Sequence, residues 1–306
     1  MKGSLVIKKK SLLEYFFFSN YFYGICAVAL SVEASLQQRF PLNGVQYFGL
    51  IFIVTVLYYA YPYMRKSGES NNPRTNWYTK NYGLMRWHQV LISIVLMLSG
   101  VLFIINHKKQ FLDISLTQWL LILVFPIVGA LYYGINFLSR KYDIRRIGWL
   151  KPFIIGFTWA GLVTIYPVLF YVIINNQDYQ FTWVGILLFL KNLMFIAVLC
   201  IMFDIKDYAS DCFCSLKTFV VSQGLRKTIF RILLPLSIAG LAAFIWYAVA
   251  HHFNEMRIIL NVIPFILLII VGYSLRKRRS ILYYLSIVDG LMLAKAICGT
   301  IAIKYF

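Results

Sequence analysis

The chain has 306 residues with 30 Lys or Arg against 11 Asp or Glu, a formal net charge of +19, yet 60% of it is hydrophobic and only 13% charged. A soluble domain carries about twice that charged fraction, so aqueous globular folds are excluded. A membrane-spanning helix needs about 20 apolar residues, and this composition accommodates about nine of them with little left for an aqueous domain.

In chain order the apolar segments fall at about 13–34, 44–64, 84–106, 116–138, 153–175, 182–203, 229–250, 257–275 and 281–303, each giving about 30 Å of helix. They predict an all-α integral membrane protein, a single transmembrane domain over residues 1–306 with nine spans. Lysines 2, 8, 9 and 10 ahead of the first run look like the start of a secretory signal. The run is too long for a signal's apolar core and no small-x-small cleavage site follows, so it reads as the first span.

Basic residues divide unevenly between alternate loops. Segments 2–10, 65–86, 140–151, 206–231 and 276–279 hold 23 of the 30, whereas the opposite side holds Arg39, Lys108, Lys109, Arg257 and Lys304, and Lys191 and Lys295 fall inside spans. This bias orients a membrane protein with its basic loops in the cytoplasm. It predicts a cytoplasmic amino terminus and an external carboxyl terminus; the expected location is the inner membrane of a bacterium. Because the basic excess serves orientation, no nucleic-acid partner is expected. Cys26, Cys200, Cys212, Cys214 and Cys298 are scattered and imply no disulfide framework. The Cys212-x-Cys214 pair lacks the second pair of ligands that a tetrahedral zinc site needs.

Three of the 11 acids, Asp204, Asp207 and Asp211, crowd into eight residues at the end of the sixth apolar segment. On a helix they lie within about 60° of one another, so the carboxylates share a face. Oxygen ligands of this kind suit Mg²⁺, which takes one or two carboxylates, waters and the oxygens of a substrate phosphate. The plainer reading is a solvated helix end whose acids pair with Lys206, Arg226 or Lys227.

At these positions the chain resembles the UbiA superfamily of intramembrane prenyltransferases, which have nine transmembrane helices and an aspartate motif after the sixth. The matching residues are Asp204, Asp207 and Asp211, then Lys217-Thr218, then Gly224-Leu225-Arg226-Lys227. Tyr133, Arg145 and Lys151 leading into Gly156-Phe157-Thr158-Trp159-Ala160 and Pro167, and Asp289-Gly290 near the end, are also similar to the family pattern. The resemblance covers most of the chain from residue 130 onward.

It implies a UbiA-like bundle with a cytoplasmic-side cavity, in which an isoprenoid chain passes from a prenyl diphosphate to a lipophilic acceptor. Mg²⁺ would sit on Asp204, Asp207 and Asp211, the catalytic cluster. Arg145, Lys151, Arg65, Arg74 and Lys217 would hold the diphosphate, and Asp289 and Tyr133 would line the acceptor side or cavity. The expected partners are prenyl diphosphate, acceptor and membrane lipid. The acceptor class stays open between a quinone precursor, another aromatic, a sugar phosphate and a porphyrin.

The family's first aspartate motif, after the second helix, has no counterpart here. That stretch, 61–74, holds Glu69 as its lone acid beside Arg65, Lys66 and Arg74, with Asn71-Asn72-Pro73-Arg74 matching the usual tail. Either one metal and these cations hold the diphosphate, or the chain is a UbiA-like lipid-binding or accessory protein without the standard reaction. A secondary transporter fits less well, since such proteins show internal repeats and midplane binding sites. Of the charges within spans, Lys191 and Lys295 can snorkel outward, Asp289 can pair with a basic group or orient an acceptor, and His88 reads as an interhelical hydrogen-bonder.

Overall fold

The computed structural model describes residues 12–64, 72–132, 148–213 and 216–306. All regular structure in them is helical. Helix α1 covers Leu12–Phe18 and α2 Tyr21–Gln37, followed by α3 (Val45–Met64), α4 (Pro73–Lys80), α5 (Tyr82–Asn106), α6 (Lys108–Leu112) and α7 (Leu116–Tyr132). Then come α8 (Lys151–Ile174), α9 (Trp183–Phe213) and α10 (Phe219–Gln223). Helices α11 (Leu225–Ala250), α12 (Glu255–Ser274) and α13 (Ile281–Tyr305) complete the chain.

Seven of these helices, α3, α5, α8, α9, α11, α12 and α13, are long and apolar enough to cross a membrane, and α1 with α2 would add an eighth as one bent span. The chain is therefore a multi-pass membrane protein. The expected fourth span at 116–138 is helical over Leu116–Tyr132, and its end lies outside the described residues. Helix α5 shows how the lipid environment is written into the sequence: Trp87, Leu91, Met97, Leu98 and Ile105 all point outward, an arrangement that water would penalise and hydrocarbon does not.

Two expectations change. The first apolar segment is not one straight helix, because α1 and α2 meet at 57°. Asn20 has φ +72° there, the left-handed conformation that Asn tolerates better than most side chains. The sixth segment does not stop at residue 203: its helix α9 runs to Phe213 and carries all three aspartates, as their shared-face reading assumed.

The chain divides into two compact units, one made of residues 1–28 and 43–113 and the other of 29–42 and 114–306. In the first, Phe52 lies against Gly24, where a Cβ would come within 2.5 Å of its ring, and Tyr23 stacks on Tyr59 at 4.4 Å. In the second, α8 presses directly on α9, since a Cβ on Gly156 would approach the carbonyl oxygen of Leu193 to 2.7 Å. Phe125 fills the space over Gly161 in the same way. Wider π-turns interrupt α8 at Gly161–Ile165 and α11 at Ile229–Leu233. Each ends two residues before a proline, Pro167 or Pro235, whose ring cannot sit over an ordinary helical carbonyl four residues back. A third π-turn, Tyr284–Val288, ends at Asp289.

Candidate functional site

The two glycines of the α8 region place the first side chain of the site. Gly148 lies so close to the backbone of Lys217 and Thr218 that a Cβ would be 2.6 Å away, which pins the turn before α8 to the segment after α9. Gly156 then sets α8 on α9. Between these contacts Lys151, the first residue of α8, extends its ammonium to Asp204 Oδ1 at 2.7 Å.

Asp204 is wholly buried and Asp211, two turns further along α9, nearly so. Asp204 Oδ2 and Asp211 Oδ2 are both buried with no hydrogen-bond partner. Burial pushes the Asp211 carboxyl up to about 6, opposed by Lys151 and reinforced by Asp204 and Asp207. One lysine therefore faces two buried carboxylates. Asp207 differs from both: it is partly exposed and bound by its neighbour Lys206 at 2.5 Å. The solvated-pair reading holds for Asp207, with Lys206 as the partner, and does not hold for Asp204 or Asp211.

Around this pair stand further groups, of which sequence spacing did not bring forward Cys200 and Tyr284. Cys200, one turn before Asp204, lies within electrostatic reach of Asp204, Lys151 and Asp289. Asp289 is itself buried and acts on the same thiol as Asp204. Tyr284 acts on the same region, within reach of Asp207 and in ring contact with Phe203 at 5.6 Å. Thr218 is buried and caps α10 by accepting from Val221 N, and Gly224 turns the chain into α11 at φ +82°. The Lys-Thr pair thus lies beside the turn that precedes Lys151, and Gly-Leu-Arg-Lys forms the entry to α11. Lys217 is exposed on it.

Whether these residues suit Mg²⁺ can be tested on the two unpartnered oxygens. A buried carboxylate oxygen without a donor is costly, and Asp204 Oδ2 with Asp211 Oδ2 offers the one or two carboxylates that Mg²⁺ normally takes from a protein. Among the described residues no group of three or more His, Cys, Asp or Glu side chains forms a closed metal cage. The two free oxygens are of the kind an open Mg²⁺ site uses, while Asp207 has one oxygen engaged by Lys206.

Arg74 has a different task. It is buried in the first unit, with Nη2 donating to the Phe18 carbonyl at 2.9 Å and also to Asn20 Oδ1. Its guanidinium lies 4.5 Å from the centre of the Tyr63 ring. Asn20 Nδ2 donates to the Tyr78 hydroxyl at 3.2 Å, and burial pushes that phenol up to about 12. Arg74 therefore satisfies a carbonyl left open by the α1–α2 bend, helped by Asn72, whose side chain caps α4 by accepting from Arg74 N. Arg65, Tyr133 and Arg145 lie outside the described residues.

A second buried charge pair was missed entirely. Lys295 does not snorkel: its ammonium meets Glu33 Oε2 at 2.7 Å, with both side chains essentially inaccessible. Glu33 also accepts from Gln37 Nε2 at 2.7 Å. Lys191 donates to Asn261 Oδ1 at 3.3 Å. The signal was available, since Glu33 lies in the first predicted span, and an intramembrane lysine calls for an acid at the same depth. His88 behaves as expected, hydrogen-bonded to Tyr21 at 2.5 Å.

No family model, curated protein or solved structure matches the chain.

Proposed function

We propose that this protein is an intramembrane prenyltransferase of the UbiA type, with nine spans and its aspartate cluster at the cytoplasmic side of a bacterial inner membrane. The observation that carries the reading is the pair of buried carboxylate oxygens on Asp204 and Asp211, facing one lysine. Lys151, Asp204 and Asp211 together carry a net negative charge, which would repel a diphosphate. The same three residues accept that anion once a divalent cation joins them, so substrate binding should depend on metal.

Asp204 and Asp211 would hold Mg²⁺, which supplies charge neutralisation of the leaving diphosphate and fixes its orientation. Lys151 is placed to exchange its bond with Asp204 for one with a diphosphate oxygen, as a mobile point charge. Lys217 lies on the segment packed against the start of α8, from which its stem can reach the same anion. Arg65 and Arg145 remain proposed diphosphate ligands, and Tyr133 a cavity residue, on the strength of the sequence resemblance alone. Asp289, buried and within electrostatic reach of Cys200, is proposed for the acceptor side. Asp207 would tune the field at the rim through its pair with Lys206.

The experiment is equilibrium binding of a non-hydrolysable prenyl diphosphate analogue to the purified protein, with Mg²⁺ and with chelator. Asp204→Asn and Asp211→Asn should each weaken the Mg²⁺-dependent binding by about tenfold or more, as loss of a metal contact does. Parent-like binding by the double variant at equal Mg²⁺ rejects the site. A second reading, a UbiA-like lipid-binding protein without turnover, is favoured by the absence of aspartate from residues 61–74. Metal-dependent binding without transfer to any acceptor class would select it.

A further inference from the structure

Helix α9 carries a second level of charge, eight residues from the end remote from Asp204. There, about 12 Å into the helix and about 20 Å from Asp204 along its axis, Lys191 projects between α11 and α12. Its ammonium donates to Asn261 Oδ1 at 3.3 Å and lies 5.1 Å from the centre of the Phe244 ring. The charged groups that act on it are Lys295, Glu33 and Arg257. Lys295 stands 6.0 Å from the Phe195 ring centre, and Phe265 contacts both Phe195 and Phe244 at 6.3 Å. Two ammonium groups thus stand against three linked aromatic rings.

The charges at this level do not balance. Glu33 is already engaged by Lys295 at 2.7 Å and by Gln37, which leaves Lys191 with an amide oxygen and no carboxylate among the described residues. A net cation at this depth is expensive in hydrocarbon. A neutral amide offers one dipole where an anion would offer a full charge. Lys295 and Glu33 are enclosed, whereas Lys191 is only half-buried. Part of the Lys191 side chain is thus open to a molecule dissolved in the membrane.

We infer that Lys191 forms a binding site for the oxyanion of a membrane-soluble molecule, a carboxylate or phosphate carried on an acyl chain, seated against Phe244 beside Asn261. The anion restores neutrality, and the apolar faces of α11 and α12 accept the chain. The site is independent of the proposed diphosphate site, being separated from it by some 20 Å along α9.

The test uses the full-length protein in phosphatidylcholine bilayers, with spin-labelled stearate as probe at a pH where it is ionised, and its methyl ester as the uncharged control. Stearate should show a motionally restricted fraction at least twofold above that of the ester. Lys191→Met should abolish the excess, and Lys191→Arg should retain it. The many basic loops can attract anions to the surface, but that attraction would survive Lys191→Met. Spin-labelled phosphatidic acid in parallel identifies the source: an excess for it alone assigns a lipid phosphate, and one for stearate alone a free carboxylate. Equal restriction of acid, phosphatidic acid and ester, or an excess unchanged in Lys191→Met, overturns the proposal. Mg²⁺-dependent diphosphate binding, measured on the same samples, reports folding of Lys191→Met and is expected to stay at the parent value.

Discussion

Breaking the Glu33–Lys295 pair from one side should destabilise the protein far more than removing both partners. At 2.7 Å, two unit charges attract by about 6 kcal/mol at an effective dielectric constant of about 20. That is comparable to the desolvation penalty of several kcal/mol per ion. The intact pair is therefore close to break-even, while an orphaned partner retains its penalty without the attraction. Glu33→Gln has a further fault: both contacts to the carboxylate, from Lys295 Nζ and Gln37 Nε2, are donors, and an amide can accept through one side only. Rotation gives no escape, because a Cβ at position 299 would already stand 2.4 Å from Glu33 Oε1. Glu33→Gln and Lys295→Met should each cost about 3–5 kcal/mol, and the double variant much less than their sum. Reversible unfolding in mixed detergent micelles, run as a double-mutant cycle, measures the coupling, expected to be about 2 kcal/mol or more. Additive single effects would refute the argument that a buried, charge-balanced pair joins α2 to α13.

Gly156→Ala should cost about 1–3 kcal/mol through overpacking against the Leu193 carbonyl and weaken diphosphate binding by displacing Lys151. Gly100→Ala, where nothing lies within 4 Å, should be neutral or stabilising in thermal denaturation. In metal-free buffer, Asp211 with its carboxyl raised to about 6 binds a proton in the folded chain that the unfolded chain releases. Its stabilising contribution is full below about pH 4 and is lost as the pH rises through 6. Asp211→Asn, which imitates the neutral acid, should therefore gain thermal stability relative to the parent between pH 4 and 7, and a constant difference would count against it. Arg74→Met should lose about 1.5–3 kcal/mol for a charged hydrogen bond at the α1–α2 bend, with Arg74→Lys a poor rescue because it lacks the fork. Loss of diphosphate binding in a stably folded Arg74→Met would reverse the assignment.

What the sequence made legible was whatever depended on composition or on a single helix. Spans could be placed because hydrocarbon imposes a minimum apolar length, and α3, α5 and α12 lie within a few residues of their expected ranges. The shared face of Asp204 and Asp211 followed from helical phase alone. Pairing between distant segments was hidden. Lys151 and Asp204 are 53 residues apart and Glu33 and Lys295 are 262 apart, and no periodicity encodes such contacts. Arg74 illustrates the reverse error. Its position in a basic loop suggested an anion, but the acceptor it serves is a backbone carbonyl exposed by the α1–α2 bend, and the 13–34 stretch reads as a continuous apolar run.

The placement of acids along α9 also argues that the site is not an accident of helix stability. The carboxyl end of a helix carries partial negative charge, so an acid in the last turn is destabilising by about 0.3–1 kcal/mol, and Asp211 stands there with no basic residue in the same turn. Burial adds to that cost, as its raised carboxyl shows. Asp207 avoids both burdens by facing outward to Lys206, which shows that this stretch of helix had a cheaper solution within four residues. Local propensity therefore opposes the inward placement of Asp211, and so does solvation. Under the proposed function, a cation on these unpartnered oxygens would offset both costs.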